Sequence, residues 1–262
     1  MHARKAVILA ASALYTPVLL LQSGLSGKVG HHFRAHPGAP VVGMFDERID
    51  IASGGTQSYE IPLRERGYKI ESIGVPPELI AARIPGAGAV WQDRISRLDH
   101  VAQWAGLIHM EAQGHIDVGW GQTPKVSYTP SQADYAKARE AIALMCKMMF
   151  QVGAKEVYPG LGGVPEVITN PSQVELIEKV ALKAQSFHLV ASHLFGGAVA
   201  GADPAHSVVG PDLQCHDLQN LYAMDASVFP SNMGVNPQHS IMAIVYRAAE
   251  RLANQTHYYQ AA

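Results

Sequence analysis

The most regular pattern of apolar positions lies near the C-terminus. Between Ile241 and Leu252, apolar residues recur at the three- and four-residue intervals of one helix face, and charged residues fall on the other faces. Asn236 and Pro237 precede this run; Asn is a favoured N-cap, and Pro is tolerated at the first helical position. The pattern predicts a buried helix whose positive dipole end points at the residues before Asn236. Its predicted inward face comprises Ile241, Ile244, Val245, Ala248 and Leu252.

Two further helices are predicted in the middle of the chain. The first begins at Ser131, which makes a capping-box pattern with Asp134, and ends at Gly153. Its inward face comprises Tyr135, Ala138, Ile142, Met145 and Met149, with the methionines as core filler. The second follows Asn170 and Pro171, and its inward residues are Val174, Ile177, Ala181 and Ala184.

Short apolar or alternating runs predict strands. The first, 6–11, is continuously apolar, as strands buried in parallel sheets are. Thr16 is then predicted to cap a short helix that has Pro17 at its first position and ends at Gly24. The other predicted strands are 41–45, 69–74, 106–112, 126–128, 155–158 and 221–224.

These elements predict a mixed α/β and α+β fold. The middle of the chain combines strands and helices without regular alternation, which is typical of a mostly antiparallel sheet backed by helices. Within it, the stretch HIDVGWGQTP holds His115, Asp117 and Trp120 and is predicted to be either a plain hairpin or a substrate-facing turn.

The N-terminus fits two interpretations. A basic start followed by an apolar run is typical of a secretory signal. A strand followed by a proline-containing helix accounts for the same residues better, so we predict folded structure there. Pro17 also interrupts the apolar run, which argues against a membrane span.

The composition narrows the function. The net charge is −2, so no nucleic-acid partner is expected. Charged residues make up 16% of the chain, against about 25% in typical soluble proteins. This deficit fits either a surface that another segment covers or an ordinary apolar-rich enzyme. Two cysteines, Cys146 and Cys215, exclude a disulfide framework and a four-cysteine metal site, and favour a cytoplasmic location.

Three histidines lie close together in VGHHFRAHPGAP. His32 and His36 would stand one helical turn apart, a spacing that suits a metal site, but Pro37 and Gly38 argue against a helix here. We therefore predict that His31, His32 and His36 are polar loop residues, and no metal is expected.

Candidate chemistry lies between 191 and 240. His193 stands beside a glycine cluster, and Asp225 ends a predicted strand. Imidazole suits a general base because its ordinary pKa, about 6.5, is close to working pH. The alternatives are a core histidine and a hydrolase that uses Ser192 or Ser240, although the G-x-S-x-G motif of many hydrolases is missing.

Four motifs carry a family resemblance. H-L-F-G-G-A-V-A-G, N-L-Y-A-M-D-A-S-V-F-P, G-V-N-P and the earlier S-A-L-Y-T-P-V-L-L-L-Q-S-G-L resemble the C-terminal half of the glucose–methanol–choline (GMC) flavin oxidoreductases. The chain departs from the usual family pattern at Ser26, Gly197, Ala198 and Ala200. The resemblance implies that FAD is the cofactor and that a small-molecule alcohol is oxidised to a carbonyl.

The resemblance also assigns residues and domains. It implies that His193 is the catalytic base and Asn236 its partner, with His239 as an alternative second histidine. It implies a partial FAD-binding domain from 1–30 and 190–262, and a substrate-binding domain from 31–189. The implied FAD contacts are Ala10, Asp225, Ala226, Val235, Asn236, Pro237 and Gln238.

The chain lacks the dinucleotide fingerprint G-x-G-x-x-G. Glycine-rich stretches that begin at Gly86, Gly119 and Gly160 all fail at its last position. In GMC enzymes this fingerprint lies in an N-terminal region, before the part that this chain resembles. We therefore interpret the chain as the C-terminal half of such an enzyme. A truncated non-catalytic remnant, or one subunit of a split flavoenzyme, is the alternative.

Overall fold

The computed structural model describes residues 3–51 and 53–258, and describes side chains as far as residue 254. The chain forms two compact units. Unit 1 comprises Met1–His36, Glu111–Thr129 and Ser192–Ala262, and unit 2 comprises Pro37–Met110 and Pro130–Ala191. The sequence assigned flavin binding to one domain and substrate binding to the other. This assignment concerns function and stays a prediction.

The elements follow one another along the chain as strands and helices of unequal length. The strands are β1 (Val7–Leu9), β2 (Arg34–Met44), β3 (Glu60–Leu63), β4 (Tyr68–Ser72), β5 (Val101–Ile108), β6 (His115–Val118), β7 (Pro124–Ser127), β8 (Glu156–Tyr158), β9 (Val190–Phe195) and β10 (Leu221–Ala223). The helices are α1 (Ser12–Gln22), α2 (Pro77–Ala81), α3 (Gly88–Ile95), α4 (Gln132–Gln151), α5 (Val174–Glu178) and α6 (Gln238–Tyr258).

Unit 1 contains a two-stranded parallel sheet. β1 pairs with β10, with Val7 opposite Leu221 and Leu9 opposite Ala223. Both strands were predicted, but the expectation that β1 is buried was wrong, since Val7 is 44% and Ile8 50% exposed. Among the described residues β1 pairs with β10 alone. Its other edge and the side chains of Val7 and Ile8 therefore stay uncovered among the described residues, whereas Leu9 packs against the core.

Helix α1 begins earlier than the sequence predicted. It starts at Ser12, so Thr16 and Pro17 lie inside it. Thr16 does not cap the helix N-terminus as expected; its hydroxyl accepts a hydrogen bond from the N–H of Ala11 at 3.1 Å. The predicted end near Gly24 is confirmed, because α1 ends at Gln22 and Gly24 has a φ of +86°.

Helix α6 differs from its prediction in two details. It begins at Gln238, and the carbonyl of Pro237 accepts from the N–H of Ile241 at 2.9 Å. Asn236, which was predicted to be the N-cap, therefore lies one position before the residue that precedes the helix, Pro237. The buried face is also narrower than predicted. Ala248 is buried and Ile241, Val245 and Leu252 pack against the core, but Ile244 is 39% exposed.

Unit 2 is an antiparallel sheet backed by helices, as predicted. The strand order is β3–β4–β5–β2–β8, with β9 as a further strand paired to β2. Helix α4 packs closely on β5, since a Cβ added at Gly106 would lie 2.9 Å from the Cβ of Ala141. Its predicted capping box between Ser131 and Asp134 is confirmed, and so is its inward face, of which Met145 and Met149 are part.

Three elements predicted from the sequence differ from the structure in their bounds or their type. The strand predicted at 106–112 is β5, which starts earlier, at Val101. The sequence pattern missed its first residues because Gln103, which is polar but buried, interrupts the apolar run. The helix after Pro171 ends at Glu178, so Ala181 and Ala184 lie outside it. The loop predicted around His36 is the first part of β2. This part of β2 contains Pro37 and Pro40, and β8 pairs only further along the strand, with Val42–Met44.

Two searches cover only the residues that the structure describes. No helix in that part of the chain combines the length and the apolar character needed to cross a bilayer. No group of three or more His, Cys, Asp or Glu side chains converges there in a way that could hold a metal ion.

The two glycines after β9 are required by close packing in unit 1. Gly196 has a φ of +83°, and a Cβ there would lie 1.9 Å from the carbonyl oxygen of His32. Gly197 has a φ of +92°, and its Cβ would lie 2.4 Å from Cγ of Pro17. Both the backbone conformation and the neighbouring atoms exclude larger residues.

We predict that Gly197→Ala lowers the free energy of unfolding by about 2–4 kcal/mol, because the left-handed backbone and the overpacking each add to the cost. Gly24→Ala is the matched control: its φ is +86°, but no atom lies within 4 Å of the added Cβ. It should cost only about 1 kcal/mol. Urea denaturation measures both, and equal losses would contradict the packing explanation.

Candidate active site

The carboxylate of Asp225 connects the ends of the two parallel strands. Its Oδ2 accepts hydrogen bonds from the N–H of Ser12 at 3.0 Å and from the hydroxyl of Thr16 at 2.5 Å. Its Oδ1 accepts from the N–H of Ser227 at 2.8 Å. Asp225 and Thr16 are both buried. The carboxylate thus fixes the β1–α1 turn against the turn that follows β10.

Ser12 adopts an unusual backbone conformation in making this contact. Its φ is +76°, a region that non-glycine residues rarely adopt. The conformation aims the Ser12 N–H at Asp225. Strained backbone of this kind concentrates at functional sites, which supports a role for this turn beyond folding.

The residues after Asp225 are joined to the glycine cluster that follows His193. The N–H of Gly196 donates to the carbonyl of Ala226 at 3.3 Å. The N–H of Ala198 donates to Ser227 at 3.1 Å, and that of Ala200 to Val228 at 2.8 Å. The segment that carries His193 therefore has a fixed register against the segment that carries Asp225.

His193 contacts a second histidine. Its Nδ1 lies 3.3 Å from Nδ1 of His36, and the two rings are stacked with centroids 5.4 Å apart and planes inclined by 22°. His36 is fully buried, whereas His193 is only partly buried. The prediction that His36 is a polar loop residue was wrong, because it lies in β2 and faces β9. A partly exposed imidazole supported by a buried one is suited to exchanging a proton.

The loop before α6 is attached beside this histidine pair. The side-chain amide of Asn232 is buried and donates to the carbonyl of Ala35, the residue before His36, at 3.1 Å. Its Oδ1 accepts from the N–H of Gly234 at 3.2 Å. Asn236, partly buried, lies further along the same loop. The N-terminus of α6 follows, where the first N–H groups of a helix lack partners within the helix.

The predicted cofactor residues fall into two groups in unit 1. Ala10 follows β1, and Asp225 and Ala226 follow β10; since these strands are parallel, their carboxyl ends lie at one edge. Carboxyl ends of parallel strands are where α/β sheets bind ligands. The second group, Val235, Asn236, Pro237 and Gln238, leads into α6. Their contacts with a cofactor stay a prediction.

Sequence reasoning missed the partners of the key residues. Thr16 and Ser12 bind Asp225 across a long separation in the sequence, and no local pattern indicates such a contact. His36 could have been noticed as one of three histidines, but Pro37 and Gly38 pointed to a loop. The stretch around Trp120 proved to be a hairpin of β6 and β7, and Trp120 is 96% exposed at its tip.

Comparison with known proteins decides the family. Residues 112–244 match the family model described as GMC oxidoreductase. The chain belongs to the GMC oxidoreductases. The resemblance seen in the four sequence motifs is thereby confirmed, and so is the mixed α/β fold that it implied.

Curated GMC relatives are longer than this chain. An uncharacterized GMC-type oxidoreductase of Mycobacterium tuberculosis is 31% identical over 250 residues, which are 94% of this chain and 39% of that protein. A long-chain-alcohol oxidase of Arabidopsis thaliana is 24% identical over 265 residues, which are 92% of this chain and 36% of that protein. The chain thus spans well under half the length of these two relatives.

A solved GMC structure has the same fold. Formate oxidase of Aspergillus oryzae superimposes with a TM-score of 0.72 at 16% sequence identity. The match covers 97% of this chain and 55% of that one. At this identity the likeness concerns the fold and not the reaction.

We predict that Thr16 and Asp225 are energetically coupled. Asp225→Asn should lower the free energy of unfolding by about 2–3 kcal/mol, since it leaves buried donors without a full acceptor. Thr16→Val should add little further loss in the Asp225→Asn background, because the hydroxyl then has no carboxylate to bind. Urea denaturation of the two single variants and the double variant measures the coupling.

Asp217→Asn provides the control for this cycle. Asp217 is exposed in the same unit, so its replacement should leave the transition midpoint unchanged. Additive losses from Thr16→Val and Asp225→Asn would show that the hydroxyl and carboxylate do not depend on one another.

Proposed function

We propose that this chain supplies the proton-transfer part of an FAD-dependent enzyme that oxidises an alcohol to a carbonyl, with His193 as the base. The observation that carries the proposal is the contact between His193 and His36. Membership of the GMC family supports the oxidoreductase class, and the name of the Arabidopsis long-chain-alcohol oxidase supports an alcohol as substrate.

The histidine pair supports one choice of the nitrogen of His193 that would act as the base. Two imidazole nitrogens 3.3 Å apart can share a hydrogen bond only if one carries a proton and the other accepts. If Nδ1 of His193 donates to His36, Nε2 of His193 is the nitrogen that would accept the hydroxyl proton of the substrate. The resulting imidazolium is stabilised, because its Nδ1–H makes a stronger, charge-assisted bond to His36.

Asn236 and helix α6 complete this proposal. We assign Asn236 to the substrate oxygen as a hydrogen-bond donor, on the loop that Asn232 attaches to β2. The N-terminus of α6 would stabilise negative charge that develops nearby, since it is the positive end of a long helix. Together these groups orient the alcohol and favour loss of its proton to His193.

FAD fits the residues present. The carboxyl ends of β1 and β10 would provide a ligand-binding edge at Ala10, Asp225 and Ala226, and α6 begins directly after Val235–Pro237 with the positive end of its dipole. Asp225 is already occupied by three donors, so we assign it to shaping this edge rather than to a direct bond. When bound, FAD would supply the acceptor for the hydride of the carbinol carbon.

A second candidate is that the chain is one subunit of a split flavoenzyme, or a remnant that does not bind FAD. The open edge of β1, with Val7 and Ile8 exposed, favours a missing partner segment. Absorbance spectra of the purified chain, alone and with FAD, separate the candidates. A stoichiometric flavin band would exclude the remnant, whereas a colourless protein would favour it or the split enzyme.

We predict that, in a protein joining this chain to an ADP-binding half, His193→Ala slows reduction of bound FAD by alcohol about 10²- to 10⁴-fold, the usual contribution of a general base. FAD content should not change. Anaerobic stopped-flow absorbance measures the reduction, and the flavin-to-protein ratio measures binding.

His239→Ala is the control, since His239 is exposed in the first turn of α6 and is the alternative histidine. It should retain most of the reduction rate. Equal loss of FAD binding and reduction in His193→Ala, or a larger loss in His239→Ala, would overturn the assignment of His193.

A further inference from the structure

Unit 2 contains a cavity that the proposed oxidation does not use. Its volume is about 400 Å³, within the range of small-molecule sites. Its floor is the pairing of β2 with β8, where Val42 lies opposite Tyr158. One wall is residues 82–85, and the other is residues 160–164. All of its lining residues belong to unit 2.

Arg83 brings a positive charge into this cavity. It is partly buried, and the structure records no ion pair between its guanidinium and a described acidic side chain. Burial lowers the pKa of the Arg83 guanidinium, and no carboxylate opposes that shift. An arginine nevertheless stays protonated in proteins. The charge is therefore partly desolvated, and no described carboxylate forms an ion pair with it.

The other cation near the floor is already neutralised. Nε of Arg94 lies 3.0 Å from Oε2 of Glu156, and the Tyr158 hydroxyl donates to the same oxygen at 2.7 Å. Arg94 also stands over the Tyr158 ring, 5.5 Å from its centroid. Glu166 and His188 lie on the exposed rim. Arg83 is thus the cation in the lining that a ligand could pair with.

The second wall is the glycine-rich stretch GLGGVP, which does not serve as a dinucleotide fingerprint. Gly160 and Gly163 have φ of +60° and +92°, and without side chains their backbone can approach a ligand closely. The stretch is held in place, because the N–H of Gly162 donates to the carbonyl of Ser186 at 2.7 Å. Val42, Ile84 and Leu161 add apolar surface to the lining.

We propose that this cavity binds a small carboxylic acid with an apolar body. The carboxylate would pair with the guanidinium of Arg83, for which a planar, two-oxygen partner is the best geometric match. The body would lie against Val42, Ile84 and Leu161, beside the glycine-rich wall. This site is independent of the proposed oxidation, since it uses none of the residues assigned to that reaction.

Titration with 3-phenylpropanoate tests the proposal, using two-dimensional amide NMR and calorimetry on the whole chain. Binding should be saturable and should shift the amide signals of Arg83, Gly160, Gly162 and Gly163. The neutral isostere 3-phenylpropanamide should bind at least about tenfold more weakly, because it cannot form the charge-assisted pair. Equal affinity for acid and amide, or no binding of the acid, would overturn the proposal without any variant.

Two substitutions locate the site. Arg83→Gln should weaken 3-phenylpropanoate binding about 10- to 100-fold, the change expected when a charge-assisted hydrogen bond is lost. Arg64→Gln is the matched control, since it removes the same charge from an exposed position of unit 2 outside the cavity. Unchanged binding in Arg83→Gln, or equal weakening in both variants, would contradict the assignment to Arg83.

Discussion

The Asp225 carboxylate is the interaction on which unit 1 depends most. It binds three donors from two distant segments, Ser12 and Thr16 on one side and Ser227 on the other. A buried carboxylate is stable only when such partners satisfy it. The turns after β1 and β10 are therefore held together at the edge where a parallel sheet would bind a ligand. From this point the backbone bonds of Ala226 to Val228 fix the segment after His193.

The histidine pair depends on the same framework. His193 reaches its position through β9, and the glycines after β9 allow the chain to pass close to His32 and Pro17. His36 is held by β2, beside the carbonyl that Asn232 binds. Three segments far apart in the sequence thus set one contact between two Nδ1 atoms. In the proposed function, this contact would hold the proton of neutral His193 on Nδ1.

Much of this fold could be predicted from local patterns, and its site only in part. Helix α4 and strand β10 were predicted correctly, because the capping box at Ser131 and the apolar run at 221–224 are formed by residues that are neighbours in the sequence. Thr16 and His36 were misread because their partners lie far along the chain, and Pro17 and Pro37 gave misleading local signals. The periodicity of apolar residues predicts helices and strands, but it contains no information about contacts between distant segments. Family motifs located His193 but not the residue that supports it.

The most direct test of the account is the tautomer of His193 in the purified chain. Long-range proton–nitrogen NMR distinguishes a protonated from an unprotonated imidazole nitrogen, and His193→Gln identifies the signals. The account predicts, for neutral His193, a proton on Nδ1 and none on Nε2, and a changed His193 titration when His36 is replaced in His36→Gln. A proton on Nε2, or a His193 titration that is indifferent to His36→Gln, would contradict it.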